Sequence, residues 1–184
     1  MKLIIPDPAL VLLVGAAGCG KSTFARRHFK PTEVLSSDFF RGLIADDESD
    51  QSVTGDAFHL LHLTAMKRLR NGRLTVIDAT NVQREARRKL EALAHRLQRP
   101  AVAIVFNLPE TLCLERAARR SDRPVDPVVI HEQYESLQQS LLSLPGEGLA
   151  QIFIFNSPDE IETAVIERQV SSDGSASESS AINQ

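Results

Sequence analysis

The chain has 184 residues, of which 42% are hydrophobic and 24% are charged, and its formal net charge is -3. These values are typical of one globular domain, and they exclude a collagen, a coiled coil and a wholly disordered chain. The charge excludes a domain that grips nucleic acid by bulk positive charge. Because the chain has no Trp and one Tyr, a surface of several stacked rings for single strands is also disfavoured.

The chain shows no sign of a membrane segment or of a cysteine framework. No apolar run reaches the roughly 18 residues that a membrane-spanning helix needs, so a cytoplasmic protein is expected. Cys19 and Cys113 are too far apart in the sequence and too few for a disulfide framework or a zinc site. Cys19 is interpreted as a small side chain that its loop tolerates, and Cys113, on an apolar stripe, as a core residue.

Five short apolar runs predict the strands of a parallel sheet. They are rich in Val, Ile and Leu and hardly alternate with polar residues, which is typical of strands buried on both faces. Longer amphipathic segments separate them, so the pattern predicts an α/β fold. The runs are Leu10–Val14 and residues 34–37, 74–78, 101–107 and 152–156.

The first run leads into the sequence GAAGCGKS at residues 15–22, a complete G-x-x-x-x-G-K-[ST] loop between a strand and a predicted helix at 21–29. Glycines let successive backbone N–H groups point at phosphates, and the helix N-terminus adds partial positive charge. Lys21 is predicted to neutralise the β- and γ-phosphates of ATP, and the Ser22 hydroxyl to hold Mg²⁺. The residues predicted to bind ATP here are Gly15, Gly18, Cys19, Gly20, Lys21, Ser22 and Thr23.

The second run leads directly into Asp38, which is followed three residues later by Arg41. Ligands bind beyond the carboxyl ends of parallel strands, so a carboxylate there is placed to accept the proton of an attacking hydroxyl. The arginine is placed to hold an anionic part of the acceptor. The alternative is an aspartate that caps a helix, followed by a surface arginine.

Two features between residues 46 and 62 are interpreted as ordinary solvent-exposed structure rather than as metal sites. The acidic residues 46–50 lack the glycine and terminal glutamate of a calcium loop, so they are interpreted as a solvated loop. His59 and His62 lie three residues apart on a predicted helix. Because no third ligand is near them in the sequence, they are interpreted as a plain helix face rather than a metal site.

The third run ends at Asp78, in the form of a Walker-B strand whose acid contacts Mg²⁺ or its water. A tight turn in which Asp78 or Asn81 caps the following helix is the competing interpretation. That helix is indicated by Leu90, Leu93 and further apolar residues at helical spacing.

Arginines after the fourth run predict a lid over the nucleotide. Arg116 and Arg120 are spaced to share a helix face, where like charges repel unless an anion compensates them. Arg123 precedes Pro124, which places it in a turn beyond the helix. A solvated basic face is the alternative. The lid arginines are Arg116, Arg119, Arg120 and Arg123.

The C-terminal part predicts a short helix and then a tail. After the fifth run, Ser157, Pro158 and Glu160 form a helix start with an N-cap serine, a proline and a capping-box glutamate. Residues 171–184 are serine-rich and nearly free of apolar side chains, so they are expected to be disordered, either as a tail or as a truncated linker. Residues 1–170 are expected to form one domain.

These motifs occur in one order, together with QSVTG at 51–55, DATN at 78–81 and VFNLPE at 105–110. Over roughly residues 8–170 the chain resembles the kinase domain of bacterial polynucleotide kinase-phosphatase, the end-healing component of an RNA repair system. The resemblance implies a three-layer P-loop fold with five parallel strands in the order 2-3-1-4-5, counting the five apolar runs. The acceptor would enter between residues 41–55 and the lid at 116–127.

The resemblance also implies an activity and a set of roles. The family transfers the γ-phosphate of ATP, with Mg²⁺, to the 5′-hydroxyl end of RNA or DNA. Asp38 would be the general base, Arg41 the clamp on the acceptor phosphate, and Arg116 and Arg123 the lid arginines on ATP. Full-length members carry phosphatase and ligase-like domains after the kinase, whereas this chain ends after its serine-rich tail, so it is expected to be either an excised domain or a stand-alone kinase.

Two other functions remain open at this stage. A small-molecule kinase for a sugar, sugar acid or nucleoside could use the same scaffold, because one fold hosts many acceptors. A non-catalytic ATP-binding module would also need the P-loop, but it would leave Asp38 and the lid arginines without a role.

Overall fold

The computed structural model describes residues 1–120 and 124–170, and this part contains seven strands and seven α-helices. The strands are β1 (Lys2–Asp7), β2 (Leu10–Val14), β3 (Val34–Ser36), β4 (Thr75–Asp78), β5 (Ala101–Phe106), β6 (Gln151–Phe155) and β7 (Val165–Val170). The helices are α1 (Lys21–His28), α2 (Ser37–Ala45), α3 (Thr54–Arg70), α4 (Arg84–Arg96), α5 (Glu110–Ala118), α6 (Pro127–Ser143) and α7 (Pro158–Glu162).

The main sheet has five parallel strands in the order β3-β4-β2-β5-β6. This order confirms the predicted 2-3-1-4-5 arrangement, and all five predicted strands are present with ends shifted by at most one residue. The register places Asp78 of β4 opposite Leu13 of β2 on one side and Ser36 of β3 on the other. The carboxyl ends of these three strands therefore lie in one row.

Helices cover both faces of the sheet, as a three-layer α/β fold requires. On one face Phe24 of α1 packs edge-on against Phe106 of β5 and Phe155 of β6, with ring centroids 5.4 and 5.5 Å away. The other face buries Leu61 of α3 and Leu90 of α4. Cys113 belongs to the first of these cores, which confirms its predicted place.

A second sheet was not predicted. Strands β1 and β7 pair in parallel, with Leu3 opposite Ile166, and form a two-stranded sheet separate from the main one. Leu3 and Ile5 of β1 are fully buried, whereas β7 is mostly exposed. The pairing joins the two ends of the domain, which are more than 150 residues apart in sequence.

The predicted start of the last helix is confirmed. The Ser157 hydroxyl accepts a hydrogen bond from the Glu160 N–H at 3.3 Å, and Pro158 is the first helical residue. The Glu160 carboxylate accepts from the N–H of Asn156 at 2.6 Å, one residue before the N-cap. Within residues 1–120 and 124–170, no helix has both the length and the apolar character to cross a membrane.

A buried ion pair joins the loop after β4 to the loop before β6. Arg87 of α4 has no exposed surface and donates to both carboxylate oxygens of Glu147, at 2.8 and 2.7 Å. The same guanidinium donates to the carbonyl oxygens of Asn81, at 2.7 Å, and Val82, at 3.0 Å. The Arg87 side chain therefore fixes the backbone at Asn81 and Val82, in the loop that follows Asp78.

Arg87→Met tests how much the fold depends on this pair. Removing one partner of a buried pair leaves the other charge uncompensated, so we expect the free energy of unfolding to fall by about 3 kcal/mol or more. The measurement is urea unfolding followed by circular dichroism. Arg27→Met is the matched control, because the Arg27–Glu162 pair is exposed and its loss should cost less than about 1 kcal/mol. An equal fall in the free energy of unfolding in the two variants would contradict the claim that the buried pair stabilises the fold more than the exposed pair.

Candidate active site

The loop between β2 and α1 has a backbone that two glycines make possible. Gly18 has φ of +81°, and a Cβ at this position would lie 2.2 Å from the carbonyl oxygen of Cys113. Gly20, with φ of +102°, is the residue before α1. Side chains are strained at these angles, so the loop has the curled shape that turns backbone N–H groups toward an anion.

The predicted phosphate-binding lysine lies inside this loop. Lys21 is buried, and its ammonium donates hydrogen bonds of 2.8 Å to the carbonyl oxygens of Gly15 and Ala16. It is the first residue of α1, so the positive end of the helix dipole lies beside it. Cys19 is fully buried in the loop, in keeping with its interpretation as a small packing residue.

Asp38 and Arg41 form the opposite wall, and both lie on α2 rather than at the end of a strand. Asp38 is in the first turn, where Ser36 is the N-cap, so the alternative that Asp38 caps the helix is wrong. Arg41 is 8% exposed, so it is not a surface arginine. Its guanidinium forms an ion pair with Asp38 and its Nε donates to the carbonyl oxygen of Glu48 at 2.8 Å.

Asp78 lies at the floor of the same cleft. Burial raises the pKa of its carboxyl above the ordinary value, while the charge of Lys21 and a hydrogen bond from the Ser22 side chain lower it in part. The competing interpretation of a helix cap is wrong, because Gln83 is the N-cap of α4. Asn81 instead donates to the carbonyl oxygen of Leu13 at 2.8 Å, which ties this loop to β2.

The donor set of the cleft suits Mg²⁺ carried by a nucleotide. Mg²⁺ takes oxygen ligands, keeps several waters, and is usually bound by one or two protein oxygens plus substrate phosphates. The Ser22 hydroxyl and the Asp78 carboxylate lie together at the end of the P-loop and fit this pattern. Among the residues that the structure describes, no group of three His, Cys, Asp or Glu side chains forms a separate metal site.

The lid arginines lie at and beyond the end of α5. The helix ends at Ala118, so the predicted helix face shared by Arg116 and Arg120 is wrong, since Arg120 follows the helix. Both side chains nevertheless line one hollow of about 240 Å³ beside the P-loop, together with Thr23. Arg119 is the C-cap residue that follows the helix, and Arg123 lies outside the described residues.

These walls enclose a single cleft of about 540 Å³. It is lined by residues between Arg41 and Thr54 on one side, and by Arg120 and residues between 124 and 133 on the other. The cleft therefore brings together eight of the predicted site residues, from segments at or after the ends of four different strands. They are Gly18, Gly20, Lys21, Ser22, Asp38, Arg41, Asp78 and Arg120.

Several residues of the cleft were not predicted. Gln133 of α6 accepts a hydrogen bond from the P-loop N–H of Ala17 at 2.8 Å, and Phe58 and Val129 line the cleft from α3 and α6. Their positions depend on how two long helices cross the sheet edge, and neither helix carries a local motif. Thr54 belongs to the QSVTG segment that was noted at 51–55, but no role was assigned to it.

Comparison with known proteins identifies the family. The sequence profile of the family described as an AAA domain matches residues 10–144, so the chain belongs to that family. A comparison with curated proteins gives no match.

Solved structures share the fold. A chain of the Pnkp1/Rnl/Hen1 RNA repair complex is 23% identical with a TM-score of 0.65, and the match covers 74% of this chain and 46% of that one. A chain of the AvrRxo1-ORF1:AvrRxo1-ORF2 complex with ATP is 14% identical (TM-score 0.64; coverage 84% and 56%). A gluconokinase from Sinorhizobium meliloti 1021 is 16% identical (TM-score 0.53; coverage 85% and 87%). The chain thus spans less than half of the repair-complex chain that it matches.

Asp78→Asn tests the electrostatics of the cleft floor. A carboxyl whose pKa is raised by folding contributes most stability below its ordinary pKa of 3.8, and the stability is lost as pH rises through the higher folded value. An amide does not ionise, so the variant does not lose this stability as the pH rises. We therefore expect its melting temperature, without nucleotide at pH 7.5, to be about 2 °C higher than that of the unmodified protein.

Asp56→Asn is the matched control, because Asp56 is exposed in the first turn of α3. This control should leave the melting temperature unchanged or slightly lower, since an acid in the first turn favours a helix. A melting temperature that falls in Asp78→Asn would contradict the claim that burial dominates at this carboxyl.

Proposed function

We propose that this member of the AAA domain family is a cytoplasmic, ATP-dependent polynucleotide 5′-hydroxyl kinase. The observation that carries the proposal is the single cleft in which Asp38 and Arg41 on α2 face Lys21 and Asp78. A carboxylate opposite a phosphate-binding loop is the arrangement that phosphoryl transfer to a hydroxyl needs.

The donor side holds the nucleotide. Backbone N–H groups of the P-loop and the N-terminus of α1 bind the phosphates, and Lys21 exchanges its carbonyl contacts for phosphate oxygens. Ser22 and Asp78 would hold Mg²⁺, which when bound would neutralise negative charge on the nucleotide's phosphates. Arg116 and Arg120, which line the hollow beside the P-loop, supply further positive charge to the nucleotide, and the resemblance assigns the same role to Arg123, outside the described residues.

The acceptor side positions the hydroxyl. Asp38 accepts the proton of the 5′-hydroxyl as that oxygen bonds to the γ-phosphorus and ADP leaves. Arg41 binds the acceptor's phosphate through its guanidinium, and the carbonyl of Glu48 keeps its Nε in place. The ion pair between Asp38 and Arg41 holds both groups at one point of the cleft.

The likeness to a chain of an RNA repair complex supports a nucleic-acid acceptor. Phosphatase and ligase-like domains would then belong to a longer chain or to partners, and no such activity is proposed for these residues. The likeness to a gluconokinase favours the competing function, a kinase for a small polyhydroxy acid. An ATP-binding module without catalysis would leave the buried contacts of Arg41 unexplained.

Asp38→Asn tests the proposed base. Loss of a general base lowers the rate by about 10²–10⁴, so we expect transfer from γ-labelled ATP to a 5′-hydroxyl oligonucleotide to fall at least 100-fold. ATP binding, followed by fluorescence of a labelled analogue, should stay within about twofold, because Asp38 lies on α2 and is assigned to the acceptor rather than to the nucleotide. Asp46→Asn, at the other end of α2, is the control and should keep full activity. Retained transfer in Asp38→Asn would refute the assigned base.

Acceptor identity is tested with 5′-hydroxyl RNA, 5′-hydroxyl DNA and gluconate in parallel. We expect transfer to an oligonucleotide, and Arg41→Ala should raise the KM for it by about tenfold or more, as loss of a charged contact does. Transfer to gluconate with none to either oligonucleotide would establish the small-molecule kinase instead. ATP binding without transfer to any hydroxyl would establish the non-catalytic module.

A further inference from the structure

A second cavity of about 720 Å³ adjoins the catalytic cleft. It continues away from the P-loop, on the side of Thr80, so the two cavities form one continuous groove. The residues that line both of them are Thr54, Phe58, Thr80, Val129 and Gln133. The second cavity is larger than the cleft that holds the reacting groups, and neither ATP nor the reacting hydroxyl occupies it in the proposed function.

Three helices and one loop form the second cavity. Helix α3 contributes His59 and His62, helix α4 contributes Lys89, helix α6 contributes Glu132, and residues 80–83 form the floor. The interpretation of the two histidines as a plain helix face is therefore incomplete. They line a cavity that opens directly onto the site of phosphoryl transfer.

The cavity combines a cation with an aromatic surface. Lys89 is exposed and forms no ion pair with any residue in the described part of the chain, and Glu132 is the one acid among the lining residues. Phe58 and His62 form an edge-to-face ring pair with centroids 6.4 Å apart. Burial and the charges of Lys89 and His59 all lower the pKa of His62, which favours the neutral form of its ring.

A positively charged contact beside a ring surface is the usual means of binding single-stranded nucleic acid, because the cation meets the backbone and the ring meets a base. A sugar acid or a free nucleoside would need neither the cation nor the ring surface outside the first cleft. Phe58 lies at the junction of the two cavities, so a base placed against it directly follows the group that Asp38 and Arg41 position.

We infer that the second cavity binds the acceptor strand beyond its 5′-terminal nucleoside, with the second nucleotide's phosphodiester on Lys89 and its base against Phe58 and His62. This inference rests on the proposed polynucleotide kinase activity. It makes the second cavity the feature that selects a strand over a mononucleotide.

The experiment measures KM and kcat with the full chain for two acceptors. One is a nucleoside 3′-monophosphate, which fills only the first cleft, and the other is a 5′-hydroxyl oligonucleotide of about six nucleotides. We expect the unmodified protein to prefer the oligonucleotide. Lys89→Ala and His62→Ala should each reduce that preference, the ratio of the two KM values, about fivefold.

Two matched variants separate binding from structural damage. Arg88→Ala removes an exposed cation next to Lys89 that lines neither cavity, and it should leave both KM values unchanged. His62→Phe keeps a ring and should retain the preference that His62→Ala loses. Lys89→Ala should also reduce the slope of log KM for the oligonucleotide against log salt by about 0.7, the loss of one phosphate contact with a single strand.

The possible failures are distinguishable. Equal KM values for the two acceptors in the unmodified protein, or the same salt slope in Lys89→Ala and Arg88→Ala, would overturn the inference while leaving the kinase activity intact. Absence of transfer to both acceptors would instead overturn the proposed function, and the inference with it.

Discussion

The register of three parallel strands is the constraint on which the site depends. Asp78 of β4 lies opposite both Leu13 of β2 and Ser36 of β3, so the three strands end in one row. The chain that leaves β2 becomes the P-loop, and the chain that leaves β3 enters the helix of Asp38. A slip of one residue would turn every side chain of a strand to the other face of the sheet. Every residue of β2 and β4 is buried, so such a slip would force the cores on both faces of the sheet to repack.

The same row places two carboxylates in one cleft and gives them different surroundings. Asp78 is buried beside Ser22 and Lys21, and the nearby charge of Asp38 adds to the rise of its pKa. Asp38 remains one-third exposed, at 33%, and pairs with Arg41 on its own helix. The buried carboxylate therefore lies beside the P-loop, and the more exposed one lies on the side proposed for the acceptor. This difference in surroundings is the physical basis for assigning them different roles.

How much could be predicted depends on whether a feature is local in the sequence. The P-loop, the buried strands and the cap at Ser157 follow from short patterns, and the structure confirms them. The strand order followed only from resemblance, since apolar runs do not encode their neighbours. The pairing of β1 with β7 links distant segments, and β7 has no buried face that would mark it as a strand. The nearest helix-breaking residue after α5 is Pro124, six residues beyond Ala118, so the spacing of Arg116 and Arg120 wrongly suggested that the helix continues through Arg120.

Features that depend on helix packing could not be predicted at all. Gln133 accepts a hydrogen bond from the N–H of Ala17 because α6 packs beside the P-loop. The ring pair of Phe58 and His62 on α3 lines a cavity because α4 and α6 contribute the other walls. Arg87 looks like one of several basic residues on α4, yet it is the one that is fully buried. Its partner, Glu147, lies 60 residues away, so no local pattern distinguishes it.

The most direct measurement of the central claim is a crystal structure with a non-hydrolysable ATP analogue, Mg²⁺ and a 5′-hydroxyl oligonucleotide. The account predicts the terminal 5′-oxygen within about 3.2 Å of an Asp38 carboxylate oxygen and in line with the γ-phosphorus. A 5′-oxygen bound in the cleft but beyond the reach of Asp38, with that carboxylate turned away from the γ-phosphate, would contradict it.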